Sequence, residues 1–342
     1  MFKKFIKSIF SERKDTFESN HCLPSKLGSM FFVHIPKTAG TSFRASFENE
    51  YKTYNDYGGS SNFTSKEIQS CIYEDKDFGA FKNLVKLDES SWIAGHVPLE
   101  KYINFIPSSN IVTFVREPIE QIISHYNHYT QHHDFSGDLG AFLDRAFAKN
   151  LQSKCLSYMP LGLIGFVGVT EYYSESLVLI NKQLSLELDN SKRNVNKNKT
   201  ITANSIAKDD LKKLQANNSK DIEMYKEAEF IHKQRTKLHK EDKPWSYGVA
   251  SINGRNILHG CAFQHNTDSP ITLEVRLNNE TITTLVAKSY YGAYAKANFP
   301  RDRYVGYQFA LPKDITSDDI IDVFVEGTGQ KLNFKPLQIK RK

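Results

Sequence analysis

From Phe31 to about Ile180, short apolar runs rich in β-formers alternate with stretches of helical period, the signature of a parallel sheet covered by helices. Four runs predict strands: Phe31–Ile35, Trp92–Ala94, Ile111–Val115 and Phe166–Val169. Each is followed by polar or glycine-containing residues, so a ligand crevice is expected at the strands' carboxyl ends. After Pro118, the apolar positions Ile119, Ile122, Ile123 and Tyr126 recur at i, i+3, i+4 and i+7, which predicts a helix with one buried stripe. From Asn181 to Lys243 the chain turns Lys-, Asn- and Glu-rich, with helix-like stretches at Asp209–Leu214 and Asp221–Lys233, and reads as an outer wall and a linker ending near Pro244. Beyond Trp245 the period changes to two: Val249–Ile252, Asn256–Ala262, Ile271–Leu277, Thr281–Lys288, Val305–Leu311 and Ile320–Glu326 predict strands of a small β-sandwich. The expected organisation is a segment at 1–28, an α/β domain at 29–243 and a separately folding β-sandwich at 244–342.

The segment 1–28 changes this picture in one respect. Phe2, Phe5, Ile6, Ile9 and Phe10 fall at helical spacing with Lys3, Lys4 and Lys7 between them, which suits an interfacial membrane helix and equally a helix packed on the body. No apolar run approaches the roughly 20 residues needed to span a bilayer, and no signal-type apolar core precedes small cleavage residues. A cytoplasmic protein is expected, with residues 1–10 as a candidate contact with the inner face of the membrane. A length of 342 residues suits a main domain with one smaller unit, and 39% apolar with 12% aromatic residues suits globular folding. The net charge of +6, from 45 basic and 39 acidic side chains, favours anionic ligands without requiring nucleic acid, and none is expected as a partner. Cys22, Cys71, Cys155 and Cys261 form no CxxC or Cys/His spacing, so neither a zinc site nor a disulfide framework is indicated and reduced thiols are expected.

Two segments carry chemistry. The first, Phe32-Val33-His34-Ile35-Pro36-Lys37-Thr38-Ala39-Gly40-Thr41-Ser42-Phe43, is a strand, a small-residue loop with one lysine, and a helix start. Such a loop aims backbone N–H groups and a helix N-terminus at an anion, with the Thr41 and Ser42 hydroxyls as further donors. It is not a Walker A loop, because Lys37 precedes Gly40 instead of following the last glycine. The second, Thr113-Phe114-Val115-Arg116-Glu117-Pro118, leads into the predicted helix; Arg116 ends a strand and Ser124 lies off the buried stripe. An arginine fork and a hydroxyl together suit a terminal phosphate.

Both segments resemble the phosphate loops of sulfotransferases that use 3′-phosphoadenosine-5′-phosphosulfate (PAPS), and HIPKTAGTSF is most similar to the carbohydrate type that includes heparan sulfate 2-O-sulfotransferase. The resemblance implies a P-loop-like sulfotransferase fold, PAPS as co-substrate and a carbohydrate acceptor. It implies that Pro36, Lys37, Thr38, Ala39, Gly40, Thr41 and Ser42 hold the 5′-phosphosulfate, and that Arg116 and Ser124 clamp the 3′-phosphate. His96, in Trp92-Ile93-Ala94-Gly95-His96-Val97-Pro98, resembles the family's Gly-His-Val base. Val167-Gly168-Val169-Thr170-Glu171 and the Asp221 to Tyr225 stretch are weaker matches and read as structural, Glu171 as a carboxylate at a helix start. Arg193 and the stretch from Asn194 to Lys199 lie where the family closes over the nucleotide. The resemblance spans roughly residues 30–235. Through Ile252-Asn253-Gly254, Gly260-Cys261-Ala262-Phe263 and Val305-Gly306-Tyr307-Gln308-Phe309, the tail resembles a β-sandwich module appended to some bacterial glycosyl- and sulfotransferases.

The expectation is therefore an enzyme moving a sulfuryl group from PAPS to a hydroxyl of a bacterial surface polysaccharide or other glycan. Lys37 would meet the leaving oxygen and His96 would take the acceptor's proton, with no metal. His125, His128, His132 and His133 read as solvated or near the acceptor cleft, with His125 and Glu171 as the next candidates for the base; Tyr51–Phe63 and His132–Leu139 read as acceptor loops. A P-loop-like nucleotide kinase is opposed by the lysine placement and the missing Walker B partner. A non-catalytic carbohydrate-binding protein is opposed by the joint presence of Lys37, His96, Arg116 and Ser124.

Overall fold

A computed structural model describes residues 28–87, 90–189, 201–265 and 267–339. The segment at residues 1–10, Cys22, Arg193 and the stretch from Asn194 to Lys199 lie outside these.

The first part of the chain runs β1 (Met30–Val33), α1 (Gly40–Phe47), β2 (Thr53–Asp56), α2 (Phe78–Leu87), β3 (Trp92–Gly95), β4 (Ile111–Val115), α3 (Pro118–His132), β5 (Phe166–Val169), α4 (Tyr173–Leu184), α5 (Lys208–Asn217) and α6 (Ser219–Lys240). Five strands form one sheet in the order β2-β3-β1-β4-β5, and every neighbouring pair is parallel. Every residue of β1, β3, β4 and β5 is buried, as expected of parallel strands covered on both faces. Successive side chains supply two cores: Phe31, Val33, Ile93 and Ile111 on one face, Phe32, Ala94, Val112 and Phe114 on the other with Phe43 and Phe47 of α1. The chain leaves β1 toward β3 and β2 but leaves β4 toward β5, so the strand order reverses between β1 and β4. A crevice opens where such a reversal occurs.

The edge strand β2 was not expected; its sequence, Thr-Tyr-Asn-Asp, lies inside the predicted acceptor loop Tyr51–Phe63. Only Tyr54 and Asp56 face inward, and an edge strand with one apolar residue carries almost no period-2 signal.

The C-terminal strands are β6 (Ser246–Ile252), β7 (Ile257–Gln264), β8 (Ile271–Leu277), β9 (Glu280–Ala287), β10 (Gly306–Ala310) and β11 (Ile321–Val325). They form two three-stranded sheets, β10-β7-β6 and β11-β8-β9, antiparallel throughout. Leu258, Ala262 and Tyr307 of the first share one buried core with Leu273, Val275 and Val323 of the second, as in a sandwich of two sheets.

The other face of the first sheet alters the expected picture. Tyr247, Cys261, Phe263 and Val305 belong to the same buried cluster as Leu161, Leu163 and Ile231 of the α/β part. The approach is close: a methyl group on Gly162 would stand 2.5 Å from the carbonyl oxygen of Gly248. Arg235 of α6 is buried in the seam, between the rings of Phe166 (4.7 Å) and Trp245 (4.4 Å), and donates to the Gly165 carbonyl at 2.9 Å. The sandwich therefore caps the α/β core instead of hanging from it. Among the described residues no helix is long and apolar enough to cross a membrane.

Candidate active site

The loop between β1 and α1 is built around two non-glycine residues with left-handed backbones, Lys37 (φ 68°) and Ala39 (φ 65°). Such a conformation is costly and persists where surroundings over-determine it. Here the pins are explicit. The Thr38 hydroxyl donates to the Ile35 carbonyl at 2.9 Å, Gln121 Nε2 to the Pro36 carbonyl at 2.9 Å, and Arg116 Nη1 to the Lys37 carbonyl at 3.4 Å. Gly40 opens α1 because His34 occupies the space of a side chain: a Cβ there would lie 2.0 Å from His34 Cδ2. The first turn of α1 has no intrahelical acceptors for its N–H groups, and no side chain caps it. Thr41 is exposed and Ser42 buried. Thr38, expected among the anion-holding residues, is fully buried with its hydroxyl committed to Ile35, which leaves its backbone to face the loop. Partial burial, then the nearby Arg116 charge, lowers the Lys37 ammonium from its ordinary value.

Arg116 leaves β4 on the other side of the strand reversal. Its peptide is gripped at both ends by Gln152: the Arg116 N–H donates to Gln152 Oε1 and Gln152 Nε2 donates to the Arg116 carbonyl, each at 2.9 Å. Gln152 is held in turn by Asp221 of α6, whose carboxylate accepts from the Gln152 and Ser153 N–H groups at 3.1 and 2.8 Å. The Arg116 guanidinium pairs with Glu120 one turn along α3 (3.2 Å). α3 starts at Pro118, and its N-cap Glu117 accepts from Glu120 N–H at 2.8 Å. Ser124 sits half-buried on this helix.

His96 follows β3 at the carboxyl edge of the sheet. It is exposed, and its backbone N–H donates to the Asp56 carbonyl at 3.1 Å. Protein crowds the rest of its ring; lost solvation, then the charges of Arg44, His128 and Lys37, push its imidazole down to about 4. His34, at the end of β1, is buried and also held well below its usual value, by burial first, then by His96, Arg44 and Lys37. Lys37, Arg116 and His96 thus follow the ends of three adjacent strands, and Lys37 lies within electrostatic reach of both Arg116 and His96.

The α3 histidines part company. His128 lies within electrostatic reach of His96 and Lys37, and its ring touches those of His132 (4.8 Å) and His133 (5.2 Å). His125 is 6% exposed, among the rings of Tyr129, Phe142 and Phe147, and burial, then the charges of Lys37, His128 and His96, push its imidazole down to about 3. Its position beside the apolar stripe turns it into the core. Glu171 accepts from the Glu117 N–H (3.1 Å) and the Tyr225 hydroxyl (3.0 Å), so it braces the start of α3.

Sequence reasoning missed an ionic cluster at the end of β2. Asp56, fully buried, accepts from Lys101 Nζ (2.6 Å), Tyr102 Oη (2.6 Å) and Tyr73 Oη (2.7 Å). Burial alone would raise its pKa, but these donors hold it below the ordinary carboxylate value. Arg44 and Tyr57 were missed as well; their contacts cross between elements, and no local spacing announces them. Among the described residues no group of three or more His, Cys, Asp or Glu side chains could hold a metal ion.

Residues 21–159 match the family model described as the sulfotransferase family. No curated protein matches the chain. Among solved structures, the chain is similar to a crystal structure of a sulfotransferase from Alicyclobacillus acidocaldarius, at 15% identity and a TM-score of 0.33, over 57% of this chain and 92% of that one. The matched stretch, residues 21–159, carries the Lys37 loop, His96 and Arg116.

Proposed function

We propose that the protein transfers a sulfuryl group from PAPS to a carbohydrate hydroxyl. The observation that carries this reading is the convergence of Lys37, Arg116 and His96 at the strand reversal of the parallel sheet. The residues fit the donor. The backbone from Lys37 to Ser42 and the open first turn of α1 suit the 5′-phosphosulfate, and Arg116 with Ser124 suits the 3′-phosphate. In the reaction, the acceptor oxygen forms a bond to sulfur while the bond from sulfur to the bridging phosphate oxygen breaks, releasing adenosine 3′,5′-bisphosphate. The acceptor's proton goes to His96, and Lys37 neutralises the charge growing on the departing oxygen. Catalysis of this kind rests on positioning and electrostatics, as in phosphoryl transfer. The carbohydrate acceptor is supported by the similarity of the HIPKTAGTSF segment to the carbohydrate type, and by a polar groove in the segment after β2, lined by Ser60, Ser61, Asn62, Thr64, Gln69 and Glu74.

The test is titration calorimetry with adenosine 3′,5′-bisphosphate against Mg-ATP, followed by a PAPS-loaded screen over glycans read by mass shift. Preferred binding of the bisphosphate and a sulfated glycan product are expected, with His96→Ala lowering turnover by roughly 10²–10⁴-fold. Preference for Mg-ATP would overturn the reading.

A further inference from the structure

His96 rests in a corner made of two rings. His34 stands edge-on to it with centroids 4.5 Å apart at 71°, and Tyr57 does the same at 4.8 Å and 75°. Both rings are held by neighbours. His34 stacks on Phe32 (5.3 Å, 17°) and fills the space left by the missing side chain of Gly40. The Tyr57 hydroxyl is fixed between Arg44 Nη1, which donates to it, and His34 Nδ1 at 3.2 Å. Arg44 pairs in turn with Glu48, just past the end of α1, at 3.2 Å.

The chemistry of these groups gives the chain a direction. A guanidinium can only donate, so the Tyr57 oxygen accepts from Arg44, and its own hydrogen is available to His34 Nδ1. A nitrogen that accepts is unprotonated, which places the one proton of a neutral His34 on Nε2. We propose that Arg44, Tyr57 and His34 form a hydrogen-bonded positioning chain that fixes His34 as its neutral Nε2–H tautomer. The two rings then form the wall that holds His96 ready for the acceptor's proton. This rests on the reading of His96 as the base. The groups facing His96 agree with it: His34 and Lys37 from the loop after β1, Arg44 from α1, Tyr57 from beyond β2 and His128 from α3, with Glu48 beside Arg44 as the nearby anion. A donated bond to His34 Nδ1 stabilises the uncharged ring, and the Arg44 cation disfavours a proton on either imidazole.

Two measurements test the chain. In the folded wild-type protein labelled with ¹⁵N-histidine, the His34 ring, assigned by its loss in His34→Gln, should show the Nε2–H pattern; a predominant Nδ1–H pattern would overturn the proposal. Separately, turnover against pH at saturating donor and acceptor is compared for wild type, Tyr57→Phe and Arg44→Gln. Each variant should keep bisphosphate binding, lose about 10-fold in turnover at neutral pH, and move the acid limb to higher pH by about half a unit or more. The double variant should be no worse than the poorer single one, because the residues act in one chain. A uniform fall at every pH with the limb unmoved, or loss of bisphosphate binding, would reduce the chain to a structural contact and overturn the proposal. Near-normal turnover in His96→Ala would remove the base itself; the tautomer measurement reads His34 independently of that outcome.

Discussion

Lys37 and Arg116 are neighbours through one carbonyl, yet their surroundings set them different tasks. Lys37 stands on a left-handed backbone with its charge disfavoured by partial burial and by Arg116, so an anion arriving there relieves an existing conflict, most of all where negative charge grows during reaction. Arg116 is held in place by the two-way grip of Gln152 on its peptide and suits a phosphate present before and after transfer. Lys37→Ala should therefore lower turnover by roughly 10²–10³-fold with a smaller effect on bisphosphate affinity. Arg116→Ala should weaken bisphosphate binding by about 10–100-fold, the range for charge-assisted hydrogen bonds of roughly 1.5–3 kcal/mol. Calorimetry and steady-state kinetics on both variants check the split, and equal small effects on both quantities would break the assignment. Their places after β1 and β4 were legible in the sequence because each lies next to a strand with an unambiguous apolar run. The contacts of Arg44, Tyr57 and His34 were not: the hydrogen bonds joining them run between α1, the segment after β2 and the end of β1, and sequence spacing carries no trace of such contacts.

At the scale of elements, the loop and α1 act as a single shaped piece, and Gly40 is its hinge of tolerance. The position has ordinary helical backbone, so the demand for glycine comes from His34, whose Cδ2 and Nε2 would lie 2.0 and 2.2 Å from a Cβ. The histidine cannot retreat, being stacked on Phe32 and tied to Tyr57. Gly40→Ala should destabilise the protein by about 1–3 kcal/mol, the usual range for overpacking, and should lower turnover further by displacing the ring beside His96. Thermal unfolding with the activity assay checks this; an unchanged midpoint with full activity would show that the loop yields. The elements themselves were readable to different degrees for one physical reason. Ile111–Val115 and Phe166–Val169 coincide with observed strands because both their faces are buried and every residue is apolar or small. β2 escaped because a solvent-side edge strand needs few apolar residues, and Thr53, Asn55 and Asp56 resemble loop chemistry until the partners of Asp56 are seen. α6 begins two residues before its expected start and runs seven past its expected end, to Lys240; its far half is anchored by Arg235 and Leu238, whose burial depends on tertiary neighbours.

The whole molecule is more unified than its change of period at Trp245 suggests. Alternation along β6 and β7 correctly implied a sheet with two faces, but it could not show that one face belongs to the sandwich and the other to the α/β core. Further ties cross the seam: Ser108 N–H donates to the Asn298 carbonyl at 3.0 Å, Gln234 and Lys331 exchange backbone and side-chain bonds at 3.1 and 2.8 Å, and Lys296 pairs with Glu100, four residues beyond His96. Removing residues 245–342 would uncover Leu161, Leu163 and Ile231 together with the buried guanidinium of Arg235. At roughly 1.5–3 kcal/mol for each large aliphatic side chain returned to water, that loss is comparable with the whole net stability of a domain, about 5–15 kcal/mol. The expectation of an independent module, under which a truncated chain keeps its donor site, is therefore replaced: the fragment ending at Pro244 should be aggregation-prone or largely unfolded and should not bind adenosine 3′,5′-bisphosphate. Far-UV circular dichroism and calorimetry on the fragment decide the matter. A soluble fragment with native helix content and full bisphosphate affinity would show that the shared core is dispensable, and that the α/β part closes over its exposed face without the sandwich.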